Sequence, residues 1–328
     1  MSVELIVEPG NVYEWPEFID QAMLYPVGSI ALDGAVRYRP ATKWVTSLVT
    51  GREITVQNFD HHHGVDRLCT GSTMEQVEVA QEGGDFTEAY RDENGDGFEA
   101  RVYVNASDPD VAGSVYLLKT DTSNWPGEVT DRLTTYIEVE GLMDRFGGMY
   151  VFKNGRRVFL ETLNWIHQDF HEAQLNGDSD SPDPDIHNDI IERVGFRINE
   201  FAWGKSESIP LDTKYETIED HGSWKVIKEQ GSQGRLGAVE DGAKALVIVR
   251  DRKDGKFTYT LWRKSRWIRP FDLPLIYREL NDLEEDMEDG SWGASECIGG
   301  SPRGQGSSLS PEIVAKVISE VVDVHSKV

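Results

Sequence analysis

Short apolar runs alternate with longer amphipathic segments through the first two hundred residues, and this pattern predicts strands followed by helices. The apolar start of the chain, ELIV, predicts a first strand. The runs at 28–34 and 53–60 are typical of buried strands, and each closes with an aspartate. A third such run at 99–108 leads directly into a helical pattern, VAGSVYLLK. Strands with acids at their carboxyl ends, followed by helices, indicate an α/β fold with a mainly parallel sheet.

Further helices are predicted where apolar residues recur three and four positions apart, at 133–146, 155–175 and 186–203. The polar segment 204–214 follows them and is interpreted as a linker. The pattern therefore predicts a first domain over residues 1–203.

Beyond the linker the pattern becomes richer in strands. Apolar runs at 243–251 and 257–265 flank an Asp-Gly pair, which is a strong hairpin signal. A helix is predicted at 272–287, then a Gly/Ser-rich loop at 289–308, then a closing helix that begins near Ser310. We therefore expect a second, smaller α+β domain with a mixed sheet over 215–328.

The charge balance limits the partners. The chain has 33 Lys plus Arg against 58 Asp plus Glu, a formal net charge of −25. Such a surface repels long polyanions, because binding a nucleic-acid backbone relies on dense cationic contacts. The acidity can equally reflect solubility in a salty environment. Both interpretations disfavour long duplex nucleic acid and leave a small phosphorylated ligand compatible.

The expected location is the cytoplasm. The N-terminus carries acids where an export signal carries bases, and no stretch reaches the roughly 18–20 apolar residues of a membrane helix. The two cysteines, Cys69 and Cys297, are too far apart in sequence to suggest a disulfide framework. We expect no membrane partner, and the sequence leaves the oligomeric state open, a homodimer included.

Candidate chemistry lies at the ends of the predicted strands. Asp60 is followed by three consecutive histidines, His61 to His63, in a chain that has only eight. Carboxylate with imidazole is a ligand mix that suits Mn, Fe or Zn, whereas a histidine cluster on a solvated surface is the alternative. Asp108 and Asp110 follow the 99–108 strand and can either face two metals or cap the next helix.

Other histidines offer a weaker candidate. His167 and His171 are four residues apart in a predicted helix, a spacing that can chelate a metal. The glutamate of a zinc-protease helix is absent from the motif His-Gln-Asp-Phe-His. A hydrogen-bonded pair is the favoured interpretation, and the role of His63 also stays open.

An apolar strand that ends in NFDHHHGVDR resembles the DHH phosphoesterase superfamily, and the C-terminal IGGSPRGQGSSLSPEIVAKVI resembles the Gly-rich motif of its DHHA1 domain. The resemblance implies a phosphoesterase with one or two metal ions, usually manganese, for which magnesium or cobalt can substitute. It implies that His61 is a direct ligand, that Asp60 and His62 are ligands or orient one, and that the three are catalytic. It further implies that Asp33 is a metal-bridging carboxylate.

The order of the motifs departs from the family. There the Asp-x-Asp motif precedes the Asp-His-His motif, whereas Asp108 and Asp110, with Gly113-Ser114 behind them, follow it here. The N-terminal strand offers only Glu8 and Asn11 in its place. Either the motif order is rearranged, or one of these carboxylates takes the place of the family's last metal aspartate and the first motif has been lost. The second case implies that one metal site is weak or absent.

The Gly/Ser-rich segment is the candidate substrate site, because glycines let backbone N–H groups approach a phosphate and arginine binds it in a bidentate manner. A flexible linker is the alternative. The expected function is hydrolysis of a phosphate ester in a small nucleotide: a short oligonucleotide, a cyclic dinucleotide or a nucleoside bisphosphate. The rival is a nucleotide-binding protein on a DHH scaffold that no longer hydrolyses. The substrate-binding candidates are Gly299, Gly300, Ser301, Arg303, Gly304, Ser307 and Ser308.

Overall fold

The protein is a mixed α/β protein of two compact units. The computed structural model describes residues 2–91, 97–152, 157–252, 254–284, 291–302 and 305–325. The first unit comprises Met1–Arg145 and Arg157–Pro210, and the second comprises Phe146–Arg156 and Leu211–Val328. The division after Pro210 falls within the segment interpreted as a linker. The membership of Phe146–Arg156 in the second unit has no counterpart in the sequence pattern.

The first unit is built on a five-stranded sheet. The strands of this unit are β1 (Ser2–Val7), β2 (Tyr13–Glu14), β3 (Gly28–Leu32), β4 (Val36–Arg37), β5 (Ala41–Thr46), β6 (Glu53–Phe59) and β7 (Glu99–Val104). Of these, β2 and β4 form a separate two-stranded pair. The strand order is β1-β7-β3-β6-β5, in which the first four are parallel and β5 is antiparallel at the edge. The predicted first strand and the three with acidic ends are confirmed.

Both faces of this sheet are buried. On one face, helix α1 (Trp15–Ala22) packs Phe18 against Ala31 and Tyr103. Because side chains alternate along a strand, the neighbouring Ile30 and Val102 point to the opposite face, where both are fully buried. Burial on both faces is why these strands are continuous apolar runs.

Of the remaining helices of the first unit, the two at 73–82 and 85–89 have no counterpart among the predicted segments, and the other five carry the predicted helical segments. The remaining helices are α2 (Thr73–Glu82), α3 (Asp85–Ala89), α4 (Pro109–Lys119), α5 (Gly127–Arg145), α6 (Arg157–Ile166), α7 (Gln168–Asn176) and α8 (Pro184–Ala202). The helical segment predicted at 155–175 is two helices, with His167 between them as the residue before α7. No helix among the described residues is long and apolar enough to cross a membrane.

The second unit contains a six-stranded mixed sheet. Its strands and helices are β8 (Tyr215–Asp220), β9 (Lys225–Glu229), α9 (Gly234–Glu240), β10 (Ala245–Asp251), β11 (Phe257–Arg263), α10 (Leu273–Leu283), β12 (Gly293–Ala294), β13 (Ile298–Gly300) and α11 (Pro311–His325). β9 and β10 are parallel, and the other pairs are antiparallel. The predicted β10–β11 hairpin and the closing helix are confirmed.

The Gly/Ser-rich segment is not wholly a loop. β13 pairs with β11 and with β12, so residues predicted as loop form the end of the sheet. The glycine at 300 is required by packing: a Cβ there would lie 1.9 Å from the carbonyl oxygen of Tyr259. The glycine at this position therefore allows two backbones to approach closely and is not a sign of a flexible loop.

Candidate metal centre

Acidic and histidine side chains converge at the carboxyl edge of the first sheet. Two groups of three residues have ligand atoms within 4.8 Å of one another, and they share His61. The first group is Asp33, His61 and His62, and the second is His61, Asp110 and Asp144. The residues come from four different segments, so only the folded chain assembles them.

The sheet register brings the first group together. Leu32 of β3 is paired with Phe59 of β6, and the next residues, Asp33 and Asp60, therefore leave the sheet side by side. Asp33 has a φ of 45°, which is uncommon for a residue with a Cβ and carries a conformational cost. Its Oδ1 lies 2.9 Å from His62 Nε2 and accepts a hydrogen bond of 3.1 Å from the Thr73 hydroxyl.

His61 is fully buried, and its ring has no hydrogen-bond partner among the described residues. Its Nε2 lies 2.9 Å from Asp144 Oδ2 and 3.4 Å from Asp33 Oδ1. Neither contact satisfies hydrogen-bond geometry, and the Asp144 Oδ2 atom is likewise buried without a partner in the described part of the chain. Buried polar atoms are rarely left unsatisfied. Polar atoms that are buried and close together, but not hydrogen-bonded to each other, are expected where side chains surround a shared ligand.

Asp110 is held by the N-terminus of α2. Its two carboxylate oxygens accept hydrogen bonds from the backbone N–H groups of Thr73 (2.7 Å) and Met74 (2.9 Å). These N–H groups lack partners within the helix, and the helix dipole favours a negative charge there. The α2 start is visible in the sequence as the capping box formed by Ser72 and Glu75, but its role beside Asp110 is not.

Asp144 and Arg67 belong to the centre and have no recognisable motif. Asp144 lies in the last turn of α5, where the helix dipole disfavours an acid, and this is the one local signal that could have found it. Arg67 is buried and donates to Asp144 Oδ1 at 3.0 Å and to the Asp144 carbonyl at 2.9 Å. The Arg67–Asp144 pair therefore fixes the end of α5 next to His61.

Arg67 also contacts His62. Its Nη1 lies 2.6 Å from Nδ1 and 3.3 Å from Nε2 of the imidazole. Burial lowers the pKa of His62, so the ring is neutral near pH 7. Since arginine only donates, Nδ1 accepts, and Nε2 carries the hydrogen that faces Asp33. In this tautomer His62 orients Asp33.

The remaining pKa shifts follow from the crowding of charge. Burial opposes ionisation of Asp33, but its two histidine neighbours outweigh this effect and hold the pKa of Asp33 well below its usual range. Burial favours the neutral form of His61, yet the Asp144 carboxylate raises the pKa of His61 to about 10. Burial, together with the charges of Asp144 and Asp33, raises the pKa of Asp110 well above its usual range. Asp33 and Asp144 are then ionised beside protonated His61 and Arg67, and Asp110 is the carboxyl whose ionised form these cations do not offset.

Two of the predicted ligands lie outside both metal-capable groups, as far as the described residues extend. Asp60 is fully buried, but its oxygens accept the backbone N–H groups of His62 and His63, each at 3.0 Å, and face His63 Nδ1 at 2.9 Å. Asp108 is the N-cap of α4 and accepts from Val111 N–H at 3.0 Å. Backbone N–H groups nearby in the chain hold both carboxylates. Asp60 therefore shapes the loop that carries His61, and Asp108 caps helix α4, which was the alternative to metal binding.

The histidines of the α6–α7 segment have separate partners. His167 is buried and lies 3.1 Å from the Tyr136 hydroxyl, with Glu140 Oε2 3.7 Å from its other ring nitrogen. His171 Nδ1 lies 3.0 Å from Asn164 Oδ1. Neither histidine belongs to a metal-capable group of the described residues, in line with the hydrogen-bonded interpretation.

The predicted substrate-binding hydroxyls of the second unit are engaged within the protein. Ser301 Oγ accepts the Tyr259 N–H at 3.0 Å. The hydroxyls of Ser307 and Ser308 donate to the Glu284 carboxylate at 2.9–3.0 Å. Gly299 and Gly300 belong to β13, and Arg303 and Gly304 lie outside the described residues. These contacts give the described part of the segment a structural role.

The donor set of the first unit fits a divalent transition metal. Carboxylate oxygens and an imidazole nitrogen suit manganese, iron or zinc. His61 Nε2 and Asp144 Oδ2 are buried, close together and without hydrogen-bond geometry. Buried carboxylates need compensating positive charge. Asp33, His61, Asp110 and Asp144 are therefore the residues that would hold the metal.

No family model, no curated protein and no solved structure matches this chain. The function is therefore inferred from the site itself.

Proposed function

We propose that the protein is a manganese-dependent phosphoesterase of the DHH type that hydrolyses a phosphate ester in a small nucleotide. The observation that carries the proposal is the pair of metal-capable groups sharing His61. A cluster of this kind, with several carboxylates around one imidazole, is what a site for one or two divalent ions requires.

The position of Asp110 supports the DHH type despite the unusual order of motifs. β7 lies between β1 and β3 in the sheet. The residues that follow it are therefore at the same edge as Asp33 and His61, although they come later in the chain. The Asp-x-Asp segment therefore contributes a carboxylate to the cluster, as both alternatives for the order of the motifs require.

The residues of the site have separable roles in the proposed reaction. Manganese bound here would polarise the phosphate ester as a Lewis acid and offset its negative charge. Asp33, Asp110 and Asp144 provide the carboxylates that hold the metal. His62, oriented through Arg67, directs its Nε2 hydrogen at Asp33 and fixes that carboxylate. Hydrogen bonds from the α2 N-terminus fix Asp110.

A small substrate suits the charge of the chain. The net charge of −25 opposes approach of a long polyanion. A mononucleotide or a dinucleotide carries few phosphates, so local metal charge is sufficient to offset the repulsion. Short oligonucleotides, cyclic dinucleotides and nucleoside bisphosphates are therefore more suitable substrates than polymers.

The test is hydrolysis of these three substrate classes with and without manganese, with products separated chromatographically. We expect manganese-dependent turnover that falls at least a hundredfold in His61→Ala and in Asp144→Asn. Asp131→Asn is the matched control, because Asp131 is an exposed aspartate on the same helix α5. Unchanged turnover and unchanged metal content in His61→Ala contradict the proposal.

The rival function is tight nucleotide binding without hydrolysis on the same scaffold. It predicts retention of a nucleotide in the presence of manganese and no product in any of the three classes. Assembly of Asp33, His61, Asp110 and Asp144 into one cluster favours hydrolysis, because a binding protein has no need of so many buried carboxylates.

A further inference from the structure

A shallow, open cavity lies on the face of the first sheet that α2 covers. It has a volume of about 690 Å³, within the range of about 300–1,000 Å³ that is typical of small-molecule sites. One wall is formed by Gln57 and Phe59 of β6, and the other by Gln76, Val79 and Ala80 of α2. Val56 packs on the α1 side of the sheet, so Gln57 and Phe59 point to the opposite side.

Two contacts connect the lining of the cavity with residues that are next to the metal centre in the chain. Phe59 immediately precedes Asp60, and Gln76 Nε2 donates to the Asp60 carbonyl at 3.0 Å. On the other side, Glu75 of the lining pairs with Arg145 at 3.2 Å, and Arg145 immediately follows Asp144. A molecule with one end at the metal centre therefore has this cavity within reach of its other end.

The charge of the lining selects the kind of group that fits. Among the described residues that line it there is one carboxylate, Glu75, and no lysine or arginine. A second phosphate is disfavoured in such surroundings, because the lining has no cationic side chain to bind it and its one carboxylate already pairs with Arg145. Phe59, Val79 and Ala80 offer apolar surface instead. The lining therefore suits a flat, uncharged group.

Polar groups in the lining are those that recognise a base edge. Gln76 Nε2 donates to the carbonyls of Asp60 and Gly71, at 3.0 and 2.9 Å, and these bonds fix the orientation of its amide. The amide of Gln76 also carries an acceptor oxygen, and an amide is the kind of group that recognises an exocyclic amino group such as that of adenine or cytosine. Thr42 donates to Gln57 across the two strands, which adds a second polar position.

We propose that this cavity binds the nucleobase of the substrate whose phosphate occupies the metal centre. The proposal rests on the proposed function and adds the substrate class: a nucleotide with its base attached, rather than a phosphorylated sugar or a polyphosphate.

The test fills the cavity from its rim. Val79 is 68% exposed on α2, so Val79→Trp leaves the core intact while placing an indole at the cavity. Val158→Trp is the matched control, because Val158 is 69% exposed on helix α6 and does not line the cavity. Both variants are assayed on a 5′-phosphorylated deoxyadenylate dinucleotide and on the same backbone with tetrahydrofuran in place of both bases.

We expect Val79→Trp to raise KM for the dinucleotide at least tenfold and to change KM for the abasic backbone less than twofold. We expect Val158→Trp to change neither. An equal effect of Val79→Trp on both substrates, or no effect on either, overturns the proposal.

Failure of the proposed function has a different signature: the unmodified chain hydrolyses neither substrate. Calorimetric titration with AMP and with ribose 5-phosphate, in the presence of manganese, then decides about the cavity. Tighter binding of AMP that Val79→Trp abolishes and Val158→Trp preserves supports it. Equal binding of the two ligands, or binding of neither, overturns it.

Discussion

Arg67 and Asp144 form a buried ion pair, with Nη2 and Oδ1 3.0 Å apart, that ties the loop after β6 to the last turn of α5. The same arginine contacts His62. Arg67 is therefore one of the cations that offset the carboxylates of the cluster, and it fixes both a metal-capable carboxylate and the histidine that orients another.

Replacing Arg67 by methionine keeps much of its volume and removes its charge. We expect the free energy of unfolding without metal to fall by about 3–5 kcal/mol, because a buried carboxylate loses its partner. Manganese should recover part of this loss, since binding to the folded state alone stabilises it. Urea unfolding with and without manganese measures both effects. Arg37→Met, at a pair whose side chains are more than half exposed, should change stability by no more than about 1 kcal/mol.

Manganese affinity should rise with pH. The pKa of His61 is raised to about 10, so its ring is protonated near pH 7 and the proton must leave before Nε2 binds a metal. Linkage predicts about a tenfold gain in affinity per pH unit for each proton displaced. Calorimetric titration at pH 6, 7 and 8 measures the slope, with circular dichroism to verify the fold at each pH. An affinity independent of pH contradicts this prediction.

Glu78 on α2 should make the protein less stable at higher pH. Burial raises its pKa from 4.5 to about 7. A hydrogen bond from Thr134 opposes this shift, and nearby carboxylates add to it. The folded state therefore holds a proton that the unfolded state releases, and stability falls as pH rises from about 4.5 to 7. At pH 8 the free energy of unfolding of Glu78→Gln should exceed that of the parent by about 1 kcal/mol after allowing for solvent screening, as measured by urea unfolding.

The Glu78→Gln advantage should shrink as the pH falls to 5. The control is Glu53→Gln, at an exposed glutamate of β6, which should show no such trend. A gain that is the same at pH 5 and pH 8 would mean that the introduced amide stabilises by packing and not by removing a charge.

Gly300 tests the role of the Gly/Ser-rich segment. Gly300→Ala should destabilise the protein by about 1–3 kcal/mol, because its Cβ would meet the Tyr259 carbonyl at 1.9 Å. Gly293 is its partner across β12 and β13, and a Cβ there meets nothing within 4 Å. Gly293→Ala should therefore change stability by less than about 0.5 kcal/mol. Urea unfolding distinguishes the two. Full stability of Gly300→Ala with weaker nucleotide binding would restore the ligand-loop interpretation.

The predicted ligands at the strand ends include members of the metal-capable groups and, among the described residues, two that lie outside them. Asp33 and His61 follow buried strands, and the sequence pattern predicts that parallel strands bring such residues to one edge of the sheet. The pairing of β3 with β6 in the folded chain then brings these two residues together. Asp60 and Asp108 share the same kind of position. Their carboxylates accept hydrogen bonds from backbone N–H groups within the next three residues, and this competition is a matter of local geometry that residue type does not reveal.

The sequence by itself determined the α/β class, the strands with acidic ends and most helices, because these depend on apolar periodicity within short segments. Tertiary structure decided the rest. The sheet order placed β7 beside β3 and so brought Asp110 to Asp33, although their motifs occur in the opposite order to the resembled family. Packing of α5 brought Asp144 to His61. Contacts between distant segments depend on how whole elements pack, and no local pattern encodes that arrangement.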